Sequence, residues 1–247
     1  MSGVLIFGGS GGIGSAIAAD LSQRGISTFL AARSEERLQS VAQEVGASGY
    51  TVADVTKLAD IERAFSEATS TLGSISGVAH CVGSILLKPA HLTSEAEFSS
   101  VINLNLTSAF LVMRTAARTM TDGGSVLLFS SAAGRIGLAN HEAIAAAKAG
   151  IIGLTMSAAA TYAPRKLRVN CIAPGLVQTP LSEKITSNPT AASFSRALHP
   201  LGRLGEATDI SKLAALLLSD DGGWITGQVF GVDGGLGTLK TAPTSTN

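Results

Sequence analysis

The 247-residue chain is poor in aromatic residues and has no net charge. It holds one Trp, two Tyr and two Cys. Lys plus Arg and Asp plus Glu both number 18, so the formal net charge is zero. A neutral chain lacks the electrostatic footprint that nucleic acid or an anionic membrane surface would require, and no such partner is expected. Two cysteines, Cys81 and Cys171, are too few for a disulfide framework, and both lie in apolar runs. They read as buried free thiols in a reducing compartment. No apolar stretch is expected to reach the roughly 18 residues that a membrane span needs. The first residues enter an apolar run without the basic stretch of a secretory signal. A cytoplasmic protein is therefore expected.

What the chain does have is apolar material: 45% hydrophobic residues and a mean hydropathy of +0.34, enough for one sizeable core. "VLIFG" (4–8), "STFLAA" (27–32), "GYTVADV" (49–55), "GVAHCV" (77–82), "GSVLLFSS" (124–131), "RVNCIAP" (168–174) and "GQVFGVDGG" (227–235) read as strands. They lack polar alternation, as strands buried on both faces do. Helical patterns lie between them, at 12–24, 57–72, 95–120 and 142–163. This rhythm predicts an α/β fold: a single-domain, Rossmann-like, doubly wound parallel sheet of about seven strands with helices on both faces. One domain over 1–238 is expected, with a flap at 176–207, where Pro180, Pro189 and Pro200 break the rhythm. The remainder, 239–247, reads as a frayed tail.

"VLIFGGSGGIGSAIA" is a buried strand, a Gly-rich turn and the start of a helix. In that context glycines let the backbone approach a pyrophosphate at a helix N-terminus. Two registers fit: Gly9-x-Gly11-x-x-Gly14, and Gly8-x-x-x-Gly12-x-Gly14. Gly8, Ser10, Gly12, Ile13 and Gly14 are the candidate contacts. A carboxylate for the ribose 2′-OH is expected at the tip of the second strand, about 20 positions on. Arg33 and Ser34 stand there instead. That pair suits a 2′-phosphate, so NADP(H) is expected over NAD(H).

These residues resemble the short-chain dehydrogenase/reductase superfamily over nearly the whole chain. "FGGSGGIG" is similar to its glycine motif, with Phe7 in place of a Thr. "ADVT" resembles the adenine-contacting segment and points to Asp54 and Val55. "RVNCIAPGLVQT" resembles the turn that covers the nicotinamide, pointing to Pro174, Gly175, Val177 and Thr179. The C-terminal "PLGRLGEATDISKLAALLLSD" and "ITGQVFGVDGG" are similar to the family's signature. The family's Asn-Asn-Ala-Gly reads His80-Cys81-Val82-Gly83 here, which places Cys81 and Gly83 among the cofactor contacts. The resemblance implies catalytic roles for Asn105, Ser131 and Lys148, with Lys148 also holding the nicotinamide ribose.

The family's Tyr, four residues before the Lys, is Ile144 here. The two tyrosines, Tyr50 and Tyr162, fall far from Ser131 in the pattern. An Ile has no proton to give, so Tyr-dependent carbonyl reduction lacks its central step. His141 lies on the same helix face as Ile144 and Lys148 by helical spacing. Its seven-residue spacing to Lys148 resembles the Tyr-x6-Lys of enoyl-thioester reductases in the same superfamily. His141 can equally be a helix-end residue preceded by a capping Asn140, and His80 is a second candidate more suited to a structural hydrogen bond. His91 and His199 are left unassigned.

Two functional readings stand. One is an NADP(H)-dependent reductase of a ketone or a conjugated enone or enoyl substrate, with His141 or an ordered water as proton source. The other is a weakly active or inactive NADP(H)-binding scaffold or sensor. Leu176, Leu181, Ile185 and Phe194 in the flap point to an apolar small-molecule substrate. The Ala- and Gly-rich helix around Lys148 resembles the family's subunit interface and implies a homodimer or homotetramer. No metal site is expected.

Overall fold

The computed structural model describes residues 2–240; residue 1 and residues 241–247, and with them most of the expected frayed tail, lie outside the described residues. The chain alternates β1 (Ser2–Phe7), α1 (Gly12–Gln23), β2 (Ser27–Ala32), α2 (Glu35–Val45), β3 (Gly49–Val52), α3 (Leu58–Leu72) and β4 (Ser74–His80). It continues through α4 (Glu95–Ile102), α5 (Ser108–Thr119), β5 (Gly124–Phe129), α6 (Glu142–Tyr162) and β6 (Leu167–Pro174). Two short helices, α7 (Glu183–Thr186) and α8 (Pro189–Leu198), precede α9 (Ala207–Leu218) and β7 (Val229–Val232).

The strands form one seven-stranded sheet in the order β3-β2-β1-β4-β5-β6-β7, parallel throughout. The apolar runs lack polar alternation because both faces are covered. In β1, Leu5 and Phe7 join the core under α3, α5 and α6. Val4 and Ile6, one residue out of phase, join the core under α1, α2 and α9. Each such buried side chain contributes on the order of 1.5–3 kcal/mol. The strand order reverses between β1 and β4, and the crevice above their carboxyl ends is where open α/β sheets bind ligands.

The helix expected over 95–120 is interrupted. Asn103–Thr107 form a π turn between α4 and α5. Such a turn inserts one residue and leaves backbone groups to be satisfied by other partners. Here the Asn105 side chain donates to the Val101 carbonyl at 2.9 Å. The segment Glu95–Thr119, like Glu142–Arg165, is long and apolar enough by length and composition to cross a membrane. This corrects the expectation that no apolar stretch reaches that length: both segments carry a few polar residues within an otherwise apolar helix. Alanine-rich helices packed on a sheet meet the same test, and α6 packs on β6.

Between β6 and α9 the chain leaves the sheet. Val177 and Gly205 pair in parallel at the base of this excursion, which carries α7 and α8 beside the carboxyl end of the sheet.

Candidate active site

The glycine turn is forced by close approach. Gly8 has φ +79, a left-handed conformation that favours glycine. A Cβ on Gly14 would collide with the Gly8 carbonyl oxygen and stand 2.9 Å from the Gly8 carbonyl carbon. At Gly11 the nearest atom to an added Cβ is that same oxygen, at 3.2 Å. Gly8 and Gly14 are thus required by the backbone, whereas Gly11 is the least confined glycine of the turn. No side chain caps α1, and its first turn carries no acidic residue. Its N-terminal N–H groups are free to meet an anion.

Gly8, Ser10 and Gly12 line one half of a cleft along the carboxyl ends of the strands, together with Arg33, Ser34, Asp54 and Val55. Arg37 lines it as well. The sequence reading stopped at the strand tip and missed it; the signal was an Arg four residues beyond Arg33 at the start of a helix. Ser34 caps that helix, its Oγ accepting from the Arg37 N–H at 3.4 Å. Asp54 accepts from the Thr56 N–H and hydroxyl at 3.0 and 2.7 Å. Those hydrogen bonds hold its carboxyl below the usual range.

Cys81, Val82, Gly83 and Leu181 border both halves of the cleft. The second half is lined by Ile13, Ser131, Ile144, Lys148, Pro174, Gly175, Val177 and Thr179. Lys148 is 8% exposed, and its Nζ donates to the Phe129 carbonyl at 3.0 Å. Burial pulls its pKa down to about 8. Ser130 fixes the same helix, donating to the Lys148 carbonyl at 2.8 Å. The Ser131 hydroxyl accepts from the Ala133 N–H at 3.2 Å, leaving its proton available to the cleft.

Asn105 is fully buried. Its Oδ1 accepts from the Ser84 N–H at 3.0 Å and its Nδ2 donates to the Ser84 hydroxyl at 2.9 Å. A Cβ on Gly83 would lie 2.9 Å from Asn105 Oδ1 and 3.3 Å from Lys148 Nζ. Asn105, Gly83 and Lys148 are thus one packed group. Ile144 is 5% exposed and packs with Val101, Ala143 and Ala147, closing one wall with methyl groups.

The histidines fall elsewhere. His141 is not among the residues lining the cleft. It is the N-cap residue of α6, with Nδ1 2.7 Å from the Ala139 carbonyl. Seven residues of helix separate it from Lys148, about 10 Å along the axis. That is the rise of the seven-residue spacing itself; what sets His141 apart here is its place at the helix end, outside the residues that line the cleft. Asn140 does not cap the helix; it adopts a left-handed φ of 64.

His80 is buried, with Nε2 2.9 Å from the Ser108 hydroxyl. That hydroxyl donates to the Leu104 carbonyl at 2.5 Å, so it accepts from His80. Burial pulls the ring's pKa down to about 3, and it stays neutral. Both cysteines are free. Cys171 is buried as expected, whereas Cys81 is only partly so because it faces the cleft. In the flap, Leu176 and Leu181 line the cleft, while Ile185 is not among the lining residues and Phe194 is 67% exposed.

This arrangement can be set beside known proteins. A family model described as "Enoyl-(Acyl carrier protein) reductase" matches residues 8–237. The chain is 32% identical over 243 residues to 2-(S)-hydroxypropyl-CoM dehydrogenase 3 of Xanthobacter autotrophicus, covering 94% of this chain and 95% of that one. It is 33% identical over 242 residues to carbonyl reductase family member 4 of Danio rerio, covering 95% and 98%. Among solved structures, a short-chain type dehydrogenase/reductase from Mycobacterium ulcerans superposes with a TM-score of 0.92 at 32% identity, covering 97% and 90%. Glycine turn, cleft, family match and relatives agree: the chain belongs to the short-chain dehydrogenase/reductase superfamily and is an oxidoreductase of that type, whose relatives use nicotinamide cofactors.

Proposed function

We propose that the protein is an NADP(H)-dependent reductase of a small apolar ketone or conjugated enone or enoyl compound, with a proton source other than the family's Tyr. The observation that carries this reading is a pair of adjoining hollows that share Cys81, Val82, Gly83 and Leu181, one lined by Arg33 and Arg37 and the other by Ser131 and Lys148. The residues fit the cofactor. The turn at Gly8 to Gly14 and the uncapped α1 would receive the pyrophosphate. Arg33, Ser34 and Arg37 would receive the 2′-phosphate, and Pro174, Gly175, Val177 and Thr179 would cover the nicotinamide beside Gly83. When bound, the cofactor supplies the hydride.

In this reading the Ser131 hydroxyl donates to the substrate oxygen. Asn105 does not reach the substrate; it holds Ser84 and Gly83 against Lys148. Ile144 contributes shape alone. His141 stands outside the cleft and His80 is neutral behind it, so neither supports a role as donor. Among the described residues lining this half, Lys148 is the one cationic acid. Its ammonium delivers the proton, directly or through a water, and the amine regains one from solvent. A pKa pulled toward neutrality suits that exchange.

The second reading, an NADP(H)-binding protein with little or no turnover, is favoured by the packed Ile144, which fills the Tyr position with hydrocarbon. Titration calorimetry with NADPH and NADH, followed by NADPH oxidation with ketones and enones, separates the two. Binding of neither dinucleotide overturns both readings, and tight NADPH binding without turnover favours the second. The small-residue face of α6, with open space beside Gly153 and an exposed Met156, supports a homodimer or homotetramer, which a mass measurement in solution tests.

A further inference from the structure

His199 lies in the flap and is 4% exposed. Its Nδ1 is 2.6 Å from the Ser195 carbonyl, in the last turns of α8. Its Nε2 lies 3.1 Å from the Leu176 backbone nitrogen, in the segment after β6 that lines the cleft. A carbonyl only accepts, so Nδ1 carries a proton. A backbone N–H only donates, so Nε2 is bare. Both bonds together admit one protonation state, the neutral Nδ1–H ring.

The same ring packs on Gly175, where an added Cβ would stand 2.5 Å from Nε2. The Leu176 carbonyl accepts from the Gly205 N–H at 2.9 Å, and the Gly205 carbonyl accepts from the Gln178 N–H at 2.8 Å. Gly175 to Gln178 are thus tied to 199–205 on both sides of the backbone. The tie through the Leu176 N–H depends on a side chain that can lose its acceptor.

We propose that His199 is a positioning residue: its neutral ring latches α8 to the Gly175–Val177 cover of the cleft, and protonation of Nε2 releases that cover. An added proton would set two N–H groups against each other. The charged groups around the ring offer little relief. From the turn after it, Arg203 is paired with Asp209 of α9 at 2.6 and 2.8 Å. Beyond β7, Asp233 accepts from the Gly235 and Gly237 N–H groups at 3.0 Å each and faces Arg135 at 4.0 Å. The charged side chain on its own helix nearest in sequence is Arg196, of the same sign. Gly175 and Leu176 bring no charge.

The latch itself is visible without cofactor; only its effect on binding rests on the dinucleotide reading above. The test measures backbone hydrogen exchange of the segment containing Leu176, as protection relative to the unstructured rate, at pH 8 and pH 5.5. A Gln carboxamide reaches the Nε2 position and an Asn stops near Nδ1. His199→Gln should keep protection within about threefold of wild type at both pH values. His199→Asn should lose about tenfold at pH 8, and the wild type should lose a comparable amount at pH 5.5. NADPH affinity should follow, weakening about fivefold or more in His199→Asn and not in His199→Gln. Unchanged protection in a folded His199→Asn, or an equal acid-induced loss in His199→Gln, would overturn the latch. If His199→Asn does not fold, the comparison of wild type and His199→Gln across pH decides. If the wild type binds no dinucleotide, the functional reading fails while the exchange result still decides the latch.

Discussion

The ammonium of Lys148 donates to the carbonyl of Phe129 at 3.0 Å, joining the second turn of α6 to the last residue of β5. The charge is held in a wall of Ile144, Val82 and Phe129 side chains with no carboxylate among the residues lining that half of the cleft. Burial pulls its pKa from 10.5 to about 8. This one relationship bears on stability and, in the function proposed above, on chemistry.

Below pH 8 the lysine is charged in both folded and unfolded chains, and the folded state bears the full cost of the buried charge. Between pH 8 and 10.5 the unfolded chain holds the proton more tightly, so stability rises with pH. The rise should total about 3 kcal/mol at about 1.36 kcal/mol per pKa unit. Lys148→Met should be folded at pH 7 and should lack that rise. Urea denaturation of both proteins at pH 7.5 and pH 10 measures the difference.

For chemistry, a Lys148 donor must be protonated to work. Turnover in the reductive direction should be flat below pH 7 and fall above about pH 8. Lys148→Arg keeps the charge and loses the titration, because guanidinium stays protonated. It should abolish the alkaline limb and lower kcat by about 100-fold, the lower range of general-acid contributions. A pH–rate profile that is unchanged in Lys148→Arg would sink the assignment.

Much of this architecture was legible before the structure. The runs that became β1, β2 and β5 are apolar on both faces because both faces are covered, and no other element type of that length demands it. Gly8 and Gly14 were legible because one turn admits few backbones. The π turn at Asn103–Thr107 was not, since one inserted residue leaves the apolar period nearly intact. The place of His141 was not legible either, since spacing alone does not say that the helix starts one residue later and leaves His141 as its N-cap residue. His199 carried no signal: its partners are backbone groups of Ser195 and Leu176, and backbone groups are the same under every sequence.

The glycine turn yields a graded comparison. Gly14→Ala would drive a methyl against the Gly8 carbonyl, backbone against backbone, with no side chain able to move aside. Overpacking of this kind costs roughly 1–3 kcal/mol, and it distorts the turn that would meet the pyrophosphate. Gly11→Ala meets only one oxygen, at 3.2 Å. Gly14→Ala should lower the melting temperature by several degrees, about 2–4 °C per kcal/mol at this size, and abolish dinucleotide binding. Gly11→Ala should do neither. Equal effects in the two variants would favour the alternative glycine register.

Arg33 and Arg37 are exposed at the mouth of the cleft, where Arg33 also acts on the Asp54 carboxylate. A charge-assisted hydrogen bond contributes roughly 1.5–3 kcal/mol. Arg33→Ala should weaken NADPH binding by about 10- to 100-fold and leave NADH binding unchanged, and Arg37→Ala should do the same more mildly. Raising the salt concentration should narrow the gap between wild type and variants, because exposed charges are screened. Calorimetric titration of both dinucleotides measures this directly. An equal loss for NADH would place the arginines on the pyrophosphate instead.

Ile144→Tyr tests whether the shape of the site or the absence of a phenol limits carbonyl chemistry. The Ile144 side chain already lines the cleft with Ser131 and Lys148, so a longer ring there extends into the cavity rather than into the core. Its root is confined by Val101, Ala143 and Ala147, and the added volume should cost about 1–3 kcal/mol. A phenol beside the Lys148 ammonium is drawn below its usual pKa near 10 and becomes an effective acid. The variant should therefore reduce simple ketones at least about tenfold faster than wild type while melting a few degrees lower. A folded variant that binds NADPH and shows no gain would mean that Ser131 and Lys148 are set for a different substrate geometry, with conjugated enones the next compounds to assay.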